Sequence, residues 1–367
     1  MLKELQIQKA SLKDFINFPF ELYKGSPYYV GELKVDTKHT LTTDPFWQHA
    51  RRELFVAKRG AKTVGRIAAI VNEDHNNYWK DETGFFGFFE CENNKQTAQA
   101  LVNAAANWLK GQGLKTIRGP LNPSSNHTCG VLINKFNAMP SIMMPYNPPY
   151  YDDILQNAGL KKVKDLLAFE RTDKDDFSPR MHKIMARILK NPAIKIRQID
   201  LKHFNDEVEI VRKIYNASWA NNWGFVPITE AEIQNVAKQL KLIVRPEITC
   251  VIEYNGKPAG FAISIPNMNH TLKILNGRLN PLKIIPALLK WKQTNDCRMI
   301  MLGVHPDYRG HGIELLLVRS VVVKGVNKGW HKAELSWVLE DNQGIISVME
   351  EAGCYKTKTY RIYEKPL

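Results

Sequence analysis

The chain has 367 residues, of which 44% are hydrophobic and 24% charged, with a formal net charge of +14. This length exceeds the size at which one core stops growing, so the sequence predicts two domains of ordinary globular composition. No apolar run approaches the roughly 20 residues that span a bilayer, so we expect no membrane span. Residues 1–15 lack the apolar core of an export signal, so we expect no export signal either.

The cysteine content and the net charge indicate which cellular compartment and which partners to expect. The five cysteines are scattered without C-x-x-C spacing, which favours the cytoplasm and predicts neither disulfides nor a metal site: Cys91, Cys129, Cys250, Cys297 and Cys354. The positive charge suits an acidic partner such as a nucleotide-bearing cofactor, or serves only solubility. Basic residues are spread along the chain, so we do not expect a nucleic-acid partner.

Residues 1–180 alternate strand and helix patterns. An alternating strand, a hairpin turned at Arg59–Gly60 and an aromatic-rich strand precede an Ala-rich helix that ends near Gly111. A strand, a short helix and a closing strand follow. The predicted elements lie at 5–10, 54–72, 84–92, 94–113, 114–123, 148–160 and 161–171.

Residues 181–367 repeat this order after a polar, then helical join that Pro192 breaks. The strongest hairpin signal in the chain is Asn255–Gly256. The repetition predicts a duplicated unit, with one domain at 1–180 and the other at 181–367. The second set of predicted elements lies at 194–200, 204–224, 248–267, 296–304, 312–328, 332–340, 342–353 and 354–365.

The most informative stretch is "GVHPDYRGHGIELLL", residues 303–317. A strand runs into a glycine-containing turn and then a helix, the usual arrangement of a phosphate-binding loop. With its context, this stretch resembles the GNAT acyltransferase superfamily over 195–367. The first half resembles a degenerate copy. The matching residues are Val304, Pro306, Arg309, Gly310, Gly312, Ile313, Asn342 and Gly353.

The resemblance implies an α/β fold of two tandem GNAT-like domains, each a mixed, mostly antiparallel, splayed sheet flanked by helices. It implies acetyl-CoA or another acyl-CoA as donor, with Val304 and Asn342 at the pantetheine arm. Asn342 could instead cap the following helix. The resemblance places the pyrophosphate at Arg309, Gly310, His311, Gly312 and Ile313.

Two positions depart from the family pattern. Glu314 stands where the family has Gly or Ala, and we expect its side chain to turn toward solvent. Met349 stands where the family often has a tyrosine that protonates the departing thiolate, and it is typical of core filler.

The catalytic residues stay unassigned in the sequence. Glu334, Glu253 and His305 are weak candidates for a proton acceptor. The glutamates also read as solvated strand residues, and His305 as a surface turn residue.

Acceptor-side residues are suggested by aromatic spacing. Tyr215, Trp219 and Asn222 are spaced four and three apart, as on one helical face, and Trp223 follows. They line the acceptor pocket or pack the core.

The first half has no matching glycine loop, so we predict one coenzyme A per chain and a scaffold role for residues 1–180. Ser124, Ser125 and His127 lie close together without a nearby aspartate, and we expect no hydrolase triad.

The resulting hypothesis is a cytoplasmic tandem acyltransferase that moves an acyl group from acyl-CoA to a primary amine of a small or amino-acid-like acceptor. Two alternatives stay open: a non-catalytic binding protein of the same fold, and an aminoacyl transferase fed by tRNA. The acyl length, the acceptor and the oligomeric state are left open.

Overall fold

The computed structural model describes residues 4–367. The strands are β1 Leu5–Lys9, β2 Ala50–Arg59, β3 Lys62–Asn72, β4 Thr83–Cys91, β5 Thr116–Gly119, β6 Leu121–Asn122, β7 Thr128–Cys129, β8 Val131–Leu132, β9 Lys161–Thr172, β10 Ile194–Arg197, β11 Thr249–Tyr254, β12 Lys257–Pro266, β13 Asp296–Val304, β14 Lys332–Leu339 and β15 Tyr355–Pro366. The helices are α1 Leu12–Leu22, α2 Lys34–Thr42, α3 Glu73–Trp79, α4 Lys95–Gly111, α5 Tyr151–Asn157, α6 Pro179–Ile188, α7 Phe204–Trp219, α8 Glu230–Leu240, α9 Asn269–Leu275, α10 Pro281–Lys292, α11 Ile313–Val326 and α12 Gln343–Glu351.

The chain divides into two compact units. Unit 1 comprises the residues up to Leu166 together with 269–292 and 358–367. Unit 2 comprises 167–268 and 293–357. These units are defined by compactness and not by homology between the two halves, so the domain boundary near residue 180 stays a prediction.

The sheet of unit 1 diverges between its central strands. Strands β1 to β4 pair antiparallel in sequence order, and β5 then pairs parallel to β4. The parallel pairing runs from Thr83↔Thr116 to Phe85↔Arg118, although β4 continues to Cys91. Helix α4 connects these two strands and buries Leu101 and Leu109 on its sheet-facing side. The segment 363–366 of β15 pairs antiparallel with β5.

The sheet of unit 2 has the same design. Its strands include the run β14-β13-β12-β11-β10, and within this run only the β13–β14 pair is parallel. That pair runs from Asp296↔Lys332 to Met299↔Leu335, while β13 continues to Val304. Helix α11 connects the two strands and is buried through Leu316, Leu317 and Val318. In both units, the strands therefore separate beyond a short parallel contact, and the helix that follows the first strand begins at the opening.

The predicted fold class is confirmed, and most predicted elements are present within a few residues. The structure also contains α1, α2, α3, α8, α9 and α10, which are not among the predicted elements. Helix α7 ends at Trp219, five residues before the predicted end at 224. Within the described part of the chain, no helix has the length and apolar character needed to cross a bilayer.

Candidate functional site

The predicted pyrophosphate loop of unit 2 joins β13 to α11. It lies at the splay, by which we mean the opening between β13 and β14 beyond their last pair, Met299↔Leu335. Gly310 and Gly312 have φ values of +80° and +71°, a region that side-chain-bearing residues rarely adopt. A Cβ on Gly312 would lie 2.2 Å from Cδ1 of Ile188, whereas the space around Gly310 is open. The loop conformation therefore depends on both glycines.

The loop presents an uncapped helix N-terminus. No side chain caps α11 at its N-cap residue, Gly312. Among residues 4–367, no backbone carbonyl accepts from the N–H groups of Gly310, His311 or Gly312. The N–H groups of the first helical turn add to this set, because they have no partner inside a helix. Together they form a concentration of donors suited to an anion such as a pyrophosphate.

Arg309 makes a contact that the sequence did not indicate. Its Nη2 donates to the carbonyl oxygen of Ser218 at 2.6 Å, near the end of α7. Ser218 also lies against β13, since its Oγ would be 2.9 Å from a Cβ on Gly303. Arg309 thus ties the loop to α7, and its side chain positions the loop.

The other predicted cofactor residues surround the same opening. Val304 is buried and pairs with Gly260 on β12, beyond the last β13–β14 pair. Ile313 is fully buried beneath the loop. His311 lies against the ring of Tyr254, with centroids 4.9 Å apart.

Asn342 caps α12. Its side-chain oxygen accepts from the N–H of Ile345 at 3.2 Å. The capping alternative from the sequence is therefore the contact that the structure shows.

Glu334 is not a solvated strand residue, which corrects that expectation. It is 1% exposed on β14, and its Oε1 accepts from the Ser336 hydroxyl at 2.9 Å. Arg298, opposite it on β13, donates from Nε to the same hydroxyl oxygen at 2.8 Å. Ser336 follows the last β13–β14 pair, so this buried chain of polar groups ends where the strands separate.

The other two base candidates have different surroundings. Glu253 is also not freely solvated, because Arg197 Nε donates to its Oε1 at 2.6 Å. His305 begins the turn before the loop and lies 3.6 Å from Asp307, as a partly exposed turn residue. Of the three candidates, Glu334 is the one at the splay.

The two departures from the family pattern, Met349 and Glu314, lie in different surroundings. Met349 is 2% exposed and belongs to the core of unit 2. Glu314 is half-buried in the first turn of α11 and forms no ion pair with any residue in the described range. Neither residue blocks the N–H groups of the loop by a hydrogen bond.

The proposed acceptor residues do not share one helical face. Tyr215 and Trp219 lie on α7, with their rings 4.0 Å apart, and Tyr215 is buried. Asn222 and Trp223 lie beyond the end of α7, where the N–H of Asn222 donates to the Trp219 carbonyl oxygen. The expectation of a continuous face through Asn222 is wrong because the helix ends first.

A cleft of unit 2 lies elsewhere on α7. The surface exposed in it is apolar. Residues of α7, α8 and the adjacent sheet line it: Ile199, Phe204, Glu207, Val208, Val211, Ile233, Val236, Ala237, Leu240, Val244, Ile263 and Met301. The spacing of Phe204, Val208 and Val211 is the sequence signal that could have indicated it.

Glu207 is the one charged residue beside this cleft, and its carboxylate oxygens are buried rather than exposed in it. Its Oε1 accepts from Arg197 Nη1 at 2.5 Å and from the N–H of Asp200 at 3.2 Å. Its buried Oε2 has no hydrogen-bond partner among the described residues. A buried acceptor without a donor is costly, so a ligand group that donates to it would be favoured.

In unit 1, the equivalent helix N-terminus is already occupied. The side chain of Asn94 accepts from the N–H of Thr97 and caps α4. Glu92 accepts from the Thr97 hydroxyl at 2.8 Å and pairs with Arg59 at 3.2 Å. A carboxylate and a cap at this end leave no comparable set of donors for a phosphate.

We therefore expect calorimetric titration with coenzyme A to give one site per chain. We expect the open loop of α11 to supply that site and the capped start of α4 to supply none. A fitted stoichiometry of two, or protection from hydrogen exchange at residues 84–110 on binding, would contradict this expectation.

The Ser124 and His127 pair has an aspartate that the sequence did not indicate. The Ser124 hydroxyl lies 2.8 Å from Nδ1 of His127, and Asp44 lies 3.8 Å from Nε2. Burial raises the pKa of Asp44, but hydrogen bonds from His127 and the Phe46 N–H outweigh it, and the net pKa is lowered. Ser124 is only 2% exposed, so its hydroxyl is closed to a substrate in this structure.

Comparison with known proteins gives the family. The model of the acetyltransferase (GNAT) family matches residues 208–354. Protein YghO of Escherichia coli (strain K12) is 34% identical over 98% of this chain and 94% of its own length. The bacterial ceramide synthase of Caulobacter vibrioides (strain NA1000 / CB15N) is 31% identical over 98% of this chain and 95% of its own. The chain belongs to the GNAT family.

Solved structures support the tandem architecture of this GNAT-family protein. A tandem GNAT protein from the clavulanic acid biosynthesis pathway has a TM-score of 0.58 at 12% identity, over 99% of this chain and 98% of that chain. A GCN5-related N-acetyltransferase from Sphaerobacter thermophilus has a TM-score of 0.54 at 12% identity, over 100% and 97%. The predicted resemblance is confirmed, and the protein is an acyltransferase of tandem GNAT architecture.

Proposed function

We propose that this acyltransferase moves a fatty acyl group from acyl-CoA to the primary amine of a long-chain amino alcohol. The observation that carries this acceptor is the apolar cleft of unit 2, with its single buried carboxylate, Glu207. The relative named bacterial ceramide synthase supports it, because a ceramide is the amide of a fatty acid and a long-chain amino alcohol. This proposed acceptor is longer than the small or amino-acid-like one expected from the sequence.

The loop before α11 is the proposed donor site. Its N–H groups would bind the pyrophosphate of acyl-CoA, with Arg309 holding the loop against α7. Val304 has a backbone edge beside the opening of the sheet, where the pantetheine amide could pair as an added strand. The thioester would then lie near the root of the splay.

The acceptor would place its alkyl chain in the cleft and a hydroxyl near Oε2 of Glu207. Burial of an alkyl chain contributes roughly 0.8 kcal/mol per methylene. The hydroxyl would satisfy the unpartnered oxygen and fix the register of the chain. Apolar burial therefore supplies affinity, and Glu207 supplies selection for an amino alcohol.

The reaction needs a proton acceptor for the attacking amine. Glu334 is our candidate, acting through the hydroxyl of Ser336. Ser336 is the buried polar residue that lies where β13 and β14 separate. The amine nitrogen forms the new bond to the acyl carbon, the carbon–sulfur bond breaks, and coenzyme A leaves as its thiol. Holding both reactants in the splay supplies much of the rate.

The five free, buried cysteines suit the proposed cytoplasmic setting.

A chain-length series tests the acceptor. With palmitoyl-CoA as donor, kcat/KM should rise about two- to fourfold per methylene from ethanolamine toward sphinganine, until the cleft is filled. Val211→Trp should fill the cleft and shift the preference to shorter amines. Val326→Trp is the matched control, because Val326 is exposed on α11, and it should leave the series unchanged. A flat series in the wild type would refute the long-chain acceptor.

A further inference from the structure

Helix α10 of unit 1 exposes its apolar residues. Leu282, Ile285 and Leu289 are 87%, 69% and 57% exposed. They follow the i, i+3, i+7 spacing of one helical face, while Ala287 on the opposite side is 3% exposed. A surface helix normally buries its apolar stripe, so this orientation is reversed.

The apolar residues form one surface. Leu279, just before the helix, and Leu288 within it are 60% and 46% exposed and extend the same side. We call this set of five residues the α10 face: Leu279, Leu282, Ile285, Leu288 and Leu289. Contiguous exposed apolar surface on a folded chain marks an interaction site.

The charges around the α10 face have one sign. Arg278, Lys283, Lys290 and Lys292 lie in or beside the helix, and residues 276–295 contain no aspartate or glutamate. Trp291 is half-buried near the end of the helix. Leucine and isoleucine on one face, lysine and arginine at its border and a tryptophan are typical of helices that lie in the interface of a bilayer.

We propose that the α10 face docks on an anionic lipid surface, with the helix lying in the interface. Its apolar residues enter the boundary between headgroups and acyl chains, and its cations contact anionic headgroups. A second copy of the chain fits less well. In a two-fold dimer, the four cations of each copy would face those of the other. The net charge of +14 favours the same anionic surface.

The proposal does not depend on the reaction that the enzyme catalyses. It would, however, place the enzyme where lipid amines occur. Binding can be measured without turnover, so the docking proposal and the proposed acceptor can fail separately.

Cosedimentation of the full chain with vesicles tests the proposal. The wild type should bind vesicles of equal parts phosphatidylglycerol and phosphatidylcholine at least tenfold more tightly than vesicles of phosphatidylcholine alone. Leu282→Asp/Ile285→Asp/Leu289→Asp should lose at least tenfold of this binding, since it places charges in the interface. Arg278→Gln/Lys292→Gln should weaken binding mainly at low salt.

Two controls keep the test specific. Leu242→Asp changes an isolated leucine that is 78% exposed in unit 2 and should bind like the wild type. Circular dichroism melts should show that the triple variant stays folded, because all three positions are on the surface. The proposal is overturned if the wild type binds neither kind of vesicle, or if the folded triple variant binds the anionic vesicles as tightly as the wild type. Sedimentation velocity showing a wild-type dimer that the triple variant abolishes would assign the face to a second copy and also overturn it.

Discussion

Replacing Gly312 with valine should weaken coenzyme A binding about thirtyfold. A β-branched residue at φ +71° costs about 2 kcal/mol, and its side chain would meet Ile188. The loop relieves this strain by leaving the conformation that presents its N–H groups to the pyrophosphate. Calorimetric titration of the purified variant with coenzyme A gives the dissociation constant directly.

Gly329 provides the matched control for this change. It lies just beyond the other end of α11, at φ +86°, with open space where a Cβ would be. Gly329→Ala should therefore lower the thermal stability in a similar way, yet leave the affinity for coenzyme A within about twofold. If Gly312→Val bound coenzyme A as tightly as the wild type, the loop would not be the donor site.

Replacing Glu334 with glutamine should lower kcat about a hundredfold. The substitution keeps the size of the side chain but removes the carboxylate that accepts from Ser336. General-base contributions of about 10²–10⁴-fold are typical. The dissociation constant for coenzyme A should stay within about twofold, since the loop before α11, the proposed donor site, is untouched. Single-turnover kinetics with saturating acyl-CoA and amine measure the chemical step.

Melting temperature and coenzyme A affinity separate a chemical role of Glu334 from a structural one. A chemical role lowers kcat in Glu334→Gln while both of these quantities stay close to the wild-type values. Glu253→Gln is the control, because Glu253 is held by Arg197 away from the splay, and its kcat should change less than about twofold. A Glu334→Gln enzyme with a lower melting temperature and a normal kcat would make the glutamate a structural residue only.

Local patterns predicted the parts of the fold that depend on neighbouring residues. The Asn255–Gly256 hairpin has φ values of +49° and +75°, which few other residue pairs tolerate. The alternating strands and the glycines of the α11 loop follow from equally local rules. The glycine-containing loop before α11 was therefore visible in the sequence, and its role in binding pyrophosphate stays a prediction.

Features that depend on distant partners were not visible. Glu334 reads as a solvated residue in a polar-containing strand, because Arg298, the polar residue opposite it, lies on another strand. The aspartate beside His127 is Asp44, more than 80 positions earlier in the chain. The exposure of the apolar side of α10 was also not predictable from the sequence pattern, since an apolar stripe is ordinarily assigned to the core. Tertiary contacts decide all three.

Mass spectrometry of the reaction products tests the central claim most directly. Purified enzyme is incubated with isotope-labelled palmitoyl-CoA and sphinganine, and the amide and the released thiol of coenzyme A are both quantified. We predict a labelled N-acyl product formed in equal amount with free coenzyme A, dependent on enzyme and lost in Gly312→Val. Release of coenzyme A without amide, or no release with any primary amine, would contradict acyl transfer to an amine by this chain.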